Sequence, residues 1–140
     1  MRKTALRAIG ALNVWVYRAS GGRLMGRFPS GAPVCLLTTV GRKSGRRRTV
    51  PLLYFRDGET FVVVASQGGA PTHPGWYLNL RANPEADIEV GSRRFAARAE
   101  EVEEPARAAL WPKLVAIYPP YESYQQKTTR RIPLVRLVRV

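Results

Sequence analysis

The sequence predicts one domain of the mainly β class with flanking helices (α+β), built as a small six-stranded antiparallel barrel that is closed or partly split. Three observations support this prediction. The chain has 140 residues, of which 45% are apolar, which is enough for a core without disulfides or metal. Short runs rich in β-branched residues recur along it, and the turn signals Asp57-Gly58 and Gly91-Ser92 separate neighbouring runs. Helical spacing is confined to the stretches around these runs.

The first 30 residues are predicted to form an amphipathic N-terminal helix and a loop, ahead of a barrel over residues 33–140. Apolar residues recur at helical spacing from Leu6 to Tyr17, beside basic residues at the start of the chain. Asn13 interrupts this apolar stretch and no convincing cleavage site follows, which favours a helix over a secretion signal. No segment is long enough to span a bilayer. The helix is expected to cover the barrel or to touch a membrane surface.

The first three strands are predicted as a meander. Apolar runs over about 34–40 and 47–56 indicate the first two strands. Asp57-Gly58 between apolar runs is a strong hairpin signal, so a third strand over Thr60–Ala65 is expected to pair with the second.

The rest of the chain is predicted to supply two helices and three more strands. After a glycine-rich corner over 66–71, Pro74 favours a short helix over about 74–82, with Thr72 or His73 as its cap. Strands over about 86–91 and 93–102 follow. A second helical stretch is expected to be opened by Glu103-Glu104-Pro105, with apolar residues at helical spacing from Ala106 to Ile117. Pro112 is expected to kink or restart it and Pro119-Pro120 to end it, and the last strand runs from Ile132 to Val140.

Charge is distributed very unevenly. The net charge is +13, and residues 1–56 hold 12 basic residues and no acidic one. The positive electrostatic field of such a charge distribution attracts nucleic acid, an anionic membrane or a multiply charged small anion. The single cysteine, Cys35, lies in an apolar strand pattern, and His73 is the single histidine. An intramolecular disulfide and a Cys/His zinc site are therefore excluded, which fits a reducing cytoplasm, and no metal is expected.

A cluster of cations lies between the first two predicted strands. Residues 41–48, named here the basic bend, contain five cations and two glycines. Gly41 and Gly45 permit bends that turn backbone N–H groups toward one point, and arginine and lysine side chains suit phosphate or carboxylate. The pattern predicts a site for a small polyanion. A basic loop that only adds solubility is the alternative.

The usual motifs for nucleophilic catalysis or nucleotide binding are missing. There is no Gly-x-Ser-x-Gly, Rossmann or Walker pattern, and a pairing of Ser66 with His73 has little support. Tyr118, Tyr121 and Tyr124 recur every third residue, and the adjacent prolines favour phenols that project from a loop or a single turn. Phenols so placed can line a flat pocket and donate protons.

Five blocks of sequence, in order, resemble the deazaflavin-dependent nitroreductase family. They are Leu36–Gly45, Val63–Pro71, Pro74–Leu80, Asn83-Pro84 and Tyr118–Gln125. The resemblance implies a split β-barrel of the FMN-binding type that binds coenzyme F420, a deazaflavin with a ribityl phosphate, a lactyl group and an oligoglutamate tail. It implies an oxidoreductase that transfers a hydride from reduced coenzyme F420 to an electron-poor acceptor such as a quinone, an enone or a nitroaromatic.

The resemblance also implies the residues of the site. The phosphate and tail would be held by Arg42, Lys43, Ser44 and Arg48. The ring would lie along Thr49, Val50, Pro51, Leu52 and Leu53, between walls formed by Val64, Ala65, Ser66, Gln67, Gly75, Trp76, Tyr77, Leu78 and Asn79. Tyr121 would lie at the reactive face, as the first candidate for assisting protonation, with Tyr124 and Ser66 as further candidates. Some relatives have lysine in place of Gln67 and tyrosine in place of Leu53, which bears on ring contacts and acceptor choice.

Two alternatives stay open. One is an oxidoreductase that uses FMN on the same barrel. The other is a basic nucleic-acid-binding barrel, which is less favoured because the tyrosines lie about 70 residues from the basic bend instead of among cations on strand faces. The favoured hypothesis has a small-molecule partner and no nucleic acid. If the acceptor is a quinone dissolved in the membrane, the basic amphipathic N-terminal helix would bring the protein to it. The protein is therefore expected in the cytoplasm, with possible contact at the inner face of the cell membrane.

Overall fold

The computed structural model describes residues 14–22 and 32–140. In this part of the chain seven strands form one antiparallel sheet: β1 Val34–Val40, β2 Arg47–Leu53, β3 Phe55–Asp57, β4 Thr60–Val64, β5 Glu85–Val90, β6 Arg93–Glu101 and β7 Leu134–Arg139. The helices are α1 over residues 14–19, α2 Gly75–Ala82, α3 Ala106–Ile117 and α4 Pro120–Lys127, with a 3-10 turn over Gln67–Gly69. None of the described helices is both long enough and apolar enough to cross a bilayer.

The sheet curls into a half-barrel. Its strand order is β2-β1-β5-β6-β7-β4-β3, so β2 and β3 lie at opposite edges although only Tyr54 separates them in the chain. The sheet must therefore curl until its two edges approach each other. This arrangement supports the predicted mainly β class with flanking helices.

The predicted strand over 47–56 is divided, so the strand count is seven and the prediction of six is wrong. β2 pairs with β1 up to the Val34–Leu53 pair. Pro33 precedes β1 in the chain and has no N–H that could extend the ladder of hydrogen bonds between β1 and β2. Its carbonyl does accept a hydrogen bond from the N–H of Tyr54 at 3.1 Å. The chain then continues as β3, which pairs with β4 instead. Because β4 pairs with β3 and β7, the predicted three-stranded meander does not form.

Both hairpins with turn signals are confirmed. Asp57 faces Thr60 across the turn that contains Gly58, whose φ is +63°. Val90 faces Arg93 across the Gly91-Ser92 turn between β5 and β6. Each turn is fixed by residues next to each other in the chain, which is why the sequence predicts it.

Alternation along the strands separates an inner core from an outer core. Phe61 and Val63 of β4 belong to the inner core inside the curl, with side chains of β1, β5, β6, β7 and α2. Val62 and Val64 point to the opposite face and belong to the outer core, where α3 and α4 pack. The outer core is therefore the layer that places α4 against the sheet.

Helix α1 docks on the outside of β1. The Tyr17 side chain is 1% exposed; its hydroxyl donates to the Val34 carbonyl at 3.0 Å and accepts from the Gly91 N–H at 2.8 Å. Arg18 forms a two-pronged ion pair with Glu89, with a shortest distance of 2.7 Å. Most of the predicted N-terminal helix lies outside the described residues.

Two details of the helices differ from the predictions. Pro119-Pro120 follows the end of α3, as expected, but Pro120 also begins α4, where its missing N–H costs nothing in the first turn. The tyrosines are therefore carried by a two-turn helix and its approach, and the prediction of a loop or single turn is wrong. At α2 the cap position is Pro74, and neither Thr72 nor His73 caps the helix. Pro112 lies within α3, which continues past it.

Candidate functional site

The basic bend is closed by its own hydrogen bonds. The N–H of Gly41 donates to the carbonyl of Arg46 at 2.7 Å, and the N–H of Gly45 donates to the carbonyl of Gly41 at 2.8 Å. The N–H of Arg46 donates to the Ser44 hydroxyl at 3.1 Å. These three N–H groups are engaged within the bend and are not free for a ligand, whereas the convergence of other backbone N–H groups of the bend on a ligand stays a prediction. The bend therefore offers its charge through side chains.

Asn79 of α2 fixes the start of the basic bend. Its side-chain oxygen accepts from the backbone N–H and the Nη1 of Arg42, both at 3.1 Å. Its side-chain nitrogen donates to the Thr39 hydroxyl at 3.1 Å. The side chain is buried, so it joins α2, β1 and the basic bend in one network. Asn79 was predicted as a pocket wall, and the structure gives it the further role of holding Arg42.

Within the described part of the chain, four of the five cations of the basic bend have no acidic partner. Arg47 is neutralised by Asp87, which also contacts Arg94 at 3.2 Å. Over residues 14–22 and 32–140 no carboxylate pairs with the exposed side chains of Arg42, Lys43, Arg46 and Arg48. Guanidinium and ammonium groups without internal partners are suited to phosphate and carboxylate oxygens.

Strand β2 runs from the basic bend to the tyrosines. Thr49, near its start, shares a 2.7 Å hydrogen bond with Thr38, and Leu53, at its end, packs with the outer core that contains Tyr121. Arg48 and Leu53 are five positions apart in the strand, a span of about 17 Å. A ligand that is held by the bend and lies along β2 can therefore reach the tyrosines.

The predicted ring contacts of β2 fall on two faces. Val50 and Leu52 pack against the inner core. Thr49, Pro51 and Leu53 alternate with them and so lie on the other face. Their side chains are the ones that this strand can present to a ligand on its outer side.

The tyrosine cluster consists of Tyr118, Tyr121 and Tyr124. The ring centroids of Tyr118 and Tyr121 are 4.9 Å apart, and the hydroxyls of Tyr118 and Tyr124 lie 3.3 Å from each other. Tyr121 is 6% exposed, whereas the other two are half-buried. The structure therefore brings the three predicted phenols together, with Tyr121 deepest.

The environment keeps the phenols of Tyr118 and Tyr121 protonated. Burial raises the pKa of Tyr121 far above its ordinary value, and the neighbouring Tyr118 and Tyr124 add to the effect. The hydrogen bond with Tyr124 raises the pKa of Tyr118, and burial contributes in the same direction. At neutral pH both groups are thus proton donors.

A small cavity lies between Tyr121 and β2. It measures about 10 Å³, and its lining includes Leu53, Val64 and Tyr118. This volume holds about one water molecule and no ring system. The cavity itself therefore has no room for a flat ligand.

The glycine-rich corner after β4 contacts α4. A Cβ atom built on Gly69 would meet the backbone of Tyr124, so the corner and the tyrosine helix touch directly. Ser66 is half-buried at this corner, and Gln67 is exposed with a φ of +45°. Val64 packs in the outer core beside Tyr121, while Ala65 belongs to the inner core. The structure therefore places Ser66 in the same region as the tyrosine cluster.

Arg130 anchors this corner and was missed in the sequence. Its guanidinium donates to three carbonyls, those of Ala65 at 3.1 Å, Ser66 at 2.7 Å and Ala70 at 2.8 Å. Its Nη1 also lies 3.1 Å from Nδ1 of His73, so His73 is bound by Arg130, and no hydrogen bond between His73 and Ser66 is found in the described part of the chain. Burial lowers the pKa of His73, and the charge of Arg130 lowers it further. No local signal marks Arg130, because its partners lie 57 to 65 positions away.

Helix α2 contributes less wall than predicted. Trp76 and Tyr77 are buried in the inner core, and the Tyr77 hydroxyl donates to the Glu101 carboxylate. Gly75 is exposed and Leu78 is half-buried. Of the predicted wall from Gly75 to Asn79, Asn79 is the residue that contacts the basic bend.

Comparisons with known proteins identify the family of the chain. Residues 10–139 match the sequence model of the F420H(2)-dependent quinone reductase family. An F420H(2)-dependent quinone reductase of Mycobacterium tuberculosis (strain H37Rv) is 43% identical over 127 residues, which cover 89% of this chain and 85% of that protein. The resemblance to deazaflavin-dependent enzymes is thus confirmed.

Solved structures show the same fold. The structure of an F420-H2 dependent reductase (FDR-A) is 42% identical, covers 75% of this chain and 93% of its own, and has a TM-score of 0.69. A structure described as a domain-swapped dimer is 34% identical, covers 97% and 95%, and has a TM-score of 0.72. The chain therefore belongs to the F420H(2)-dependent quinone reductase family of deazaflavin-dependent oxidoreductases, whose cofactor is coenzyme F420.

Proposed function

We propose that this protein reduces a quinone with reduced coenzyme F420, with the anionic end of the cofactor on the basic bend and the acceptor at the tyrosine cluster. The observation that carries the proposal is the course of β2. The strand begins beside cations that have no acidic partner among the described residues, and it ends at Leu53, which packs with Tyr121.

The chemistry of the side chains suits coenzyme F420. A phosphate and several glutamate carboxylates require guanidinium, ammonium and hydroxyl donors, which Arg42, Lys43, Ser44 and Arg48 supply. The outer side of β2 offers Thr49, Pro51 and Leu53 to a flat ring. When bound, the reduced cofactor supplies the hydride, so the protein needs no nucleophile of its own.

The remaining residues orient the reactants and handle the proton. Asn79 keeps Arg42 in place through its two contacts, and Arg130 keeps the Ser66 corner in place. Tyr121 is our first candidate for donating a proton to the reduced acceptor, because its buried phenol stays protonated beside Leu53 and Val64. Tyr124 and Ser66 are the further candidates.

The acceptor class that we propose is a flat, electron-poor, apolar molecule. A quinone fits the aromatic rings of the tyrosine cluster, and enones and nitroaromatics share the same chemistry. Quinones with long apolar tails are dissolved in membranes. Trp15 of α1 is 67% exposed, and Arg2, Lys3 and Arg7 precede it, which supports contact with the inner face of the cell membrane.

Titration of the purified protein with coenzyme F420 tests the cofactor site. We expect Lys43→Ala and Arg48→Ala each to raise the dissociation constant about tenfold, because each removes a charged hydrogen-bond donor. Arg98→Ala removes an exposed arginine from β6 and is the matched control, with unchanged affinity. Parent affinity in both variants of the bend would overturn the proposed anion site. A yellow protein with a flavin spectrum would instead favour FMN.

Steady-state reduction of menadione tests the acceptor site. Tyr121→Phe is expected to lower kcat while leaving the affinity for coenzyme F420 unchanged, since it removes only the phenolic oxygen. If kcat is unchanged in Tyr121→Phe but falls in Tyr124→Phe, the proton donor is Tyr124. Full turnover in both variants would rule out Tyr121 and Tyr124 as the donor. Screening a nitroimidazole and cyclohexenone beside menadione then defines the range of acceptors.

A further inference from the structure

A cleft opens at the end of the sheet opposite the basic bend. The bend joins the end of β1 to the start of β2, whereas the cleft residues come from the start of β4 and β6 and the end of β5 and β7. In an antiparallel sheet these are opposite ends. The cleft has a volume of about 460 Å³, which is within the usual range for small-molecule sites.

The floor of the cleft is aromatic. Phe61 of β4 and Phe95 of β6 both line it, with ring centroids 5.4 Å apart. Val90 and Val138 add apolar surface to the lining. A flat apolar group can therefore pack in the cleft with its faces out of water.

The rim of the cleft is cationic. The guanidinium of Arg56 lies 4.9 Å from the centroid of Phe61, and that of Arg139 lies 5.1 Å from the centroid of Phe95. Arg93 is the third arginine of the lining. A guanidinium that stacks on a ring keeps its N–H edge free for an anion.

The rim carries an excess of positive charge. Among the described residues no carboxylate forms an ion pair with Arg56, Arg93 or Arg139. Glu59 is the one acid in the described lining of the cleft, and it is not within ion-pair distance of these three arginines. Three guanidinium groups therefore face a single carboxylate around an aromatic floor.

We propose that this cleft binds a small organic anion with a flat apolar body, of the class of an aromatic carboxylate. The ring of the ligand packs on the partly exposed side chains of Phe95, Val90 and Val138, and its carboxylate accepts hydrogen bonds from Arg93 and Arg139. The site is separate from the proposed cofactor site, because it lies at the other end of the sheet.

Calorimetric titration with 2-naphthoate tests the proposal, with the neutral 2-naphthylmethanol as the matched ligand. We expect the acid to bind about tenfold more tightly than the alcohol. The double variant Arg93→Gln/Arg139→Gln should lose that preference, whereas Arg48→Gln in the basic bend should keep it. Saturation with coenzyme F420 should leave the affinity for 2-naphthoate unchanged.

Glu59→Gln supplies a test in the opposite direction. Removing the carboxylate should tighten the binding of 2-naphthoate several-fold, which loss of folding cannot imitate. The proposal is overturned if Glu59→Gln gives equal or weaker binding, or if acid and alcohol bind alike. It is also overturned if coenzyme F420 displaces 2-naphthoate, because the ligand then occupies the cofactor site.

Discussion

Gly69 and Tyr124 are in backbone contact. A Cβ atom on Gly69 would lie 2.8 Å from the carbonyl oxygen of Tyr124 and 2.9 Å from its Cα. Gly69 also has a φ of +83°, a conformation that other residues adopt only with strain. The absence of a side chain at Gly69 therefore sets how closely α4, and with it the tyrosine cluster, approaches the corner that contains Ser66.

Gly69→Ala is expected to lower the free energy of unfolding by about 3 kcal/mol, from backbone strain and a clash that forces α4 outward. The matched control is Gly68→Ala, since Gly68 has a similar φ of +63° but nothing within 4 Å of an added Cβ. It should lose about 1 kcal/mol, from strain alone. Denaturant unfolding measures both. Equal losses would mean that the contact with Tyr124 does not limit the packing of α4.

Local signals explain which parts of the fold were predictable. The hairpins at Asp57-Gly58 and Gly91-Ser92 depend on adjacent residues, and both form where the sequence places them. The division of the second strand at Tyr54 depends on Pro33, which is 21 positions earlier, and on the curl of the whole sheet. Nothing within residues 47–56 indicates that this extended segment supplies one strand to each edge of the sheet.

The candidate site shows the same division between local and distant causes. The basic bend is visible as a cluster of charge in the sequence, and the resemblance to deazaflavin enzymes names its role. The engagement of its N–H groups within the bend and the hold of Asn79 on Arg42 are properties of the folded chain. Arg130 is the clearest case, because its contacts join segments about 60 residues apart.

Asn79 is predicted to affect both stability and cofactor binding. Asn79→Ala leaves the Thr39 hydroxyl and the Arg42 N–H without their partner, which should cost about 1–3 kcal/mol of unfolding free energy. Asn79→Asp keeps an acceptor for Arg42 but neutralises its charge. We therefore expect the Asp variant to bind coenzyme F420 more weakly than the parent. Parent-like affinity in both variants would show that the position of Arg42 is unimportant for binding.

Arg130→Lys is predicted to loosen the Ser66 corner. A lysine keeps the charge but cannot reach three carbonyls in the directions of a guanidinium, so the loss should be on the order of 2–3 kcal/mol. Arg131→Lys is the neighbouring control, because Arg131 is exposed and pairs with Glu104 at the surface; it should change stability by less than about 0.5 kcal/mol. Hydrogen exchange of the amides over 66–70 should accelerate in the first variant and not in the second. Equal exchange rates would contradict the anchoring role.

Tyr77 is predicted to make stability fall at alkaline pH. Burial raises the pKa of Tyr77 to about 12, and the hydrogen bond to the Glu101 carboxylate contributes, whereas an unfolded chain has a tyrosine pKa near 10. Above about pH 10 the unfolded chain therefore releases a proton that the folded protein retains, which favours unfolding. The stabilisation is present in full below about pH 10 and is lost as the pH rises to about 12.

Tyr77→Phe isolates this contribution. The free energy of unfolding of the parent should fall between pH 10 and 12 by on the order of 2 kcal/mol more than that of the variant, which is two pKa units at ~1.4 kcal/mol each with allowance for screening. Burial raises the pKa of Tyr17 and Tyr121 as well, so the variant should retain part of the alkaline loss. Identical pH profiles for parent and variant would show that the Tyr77 phenol ionises in the folded protein as it does in the unfolded chain.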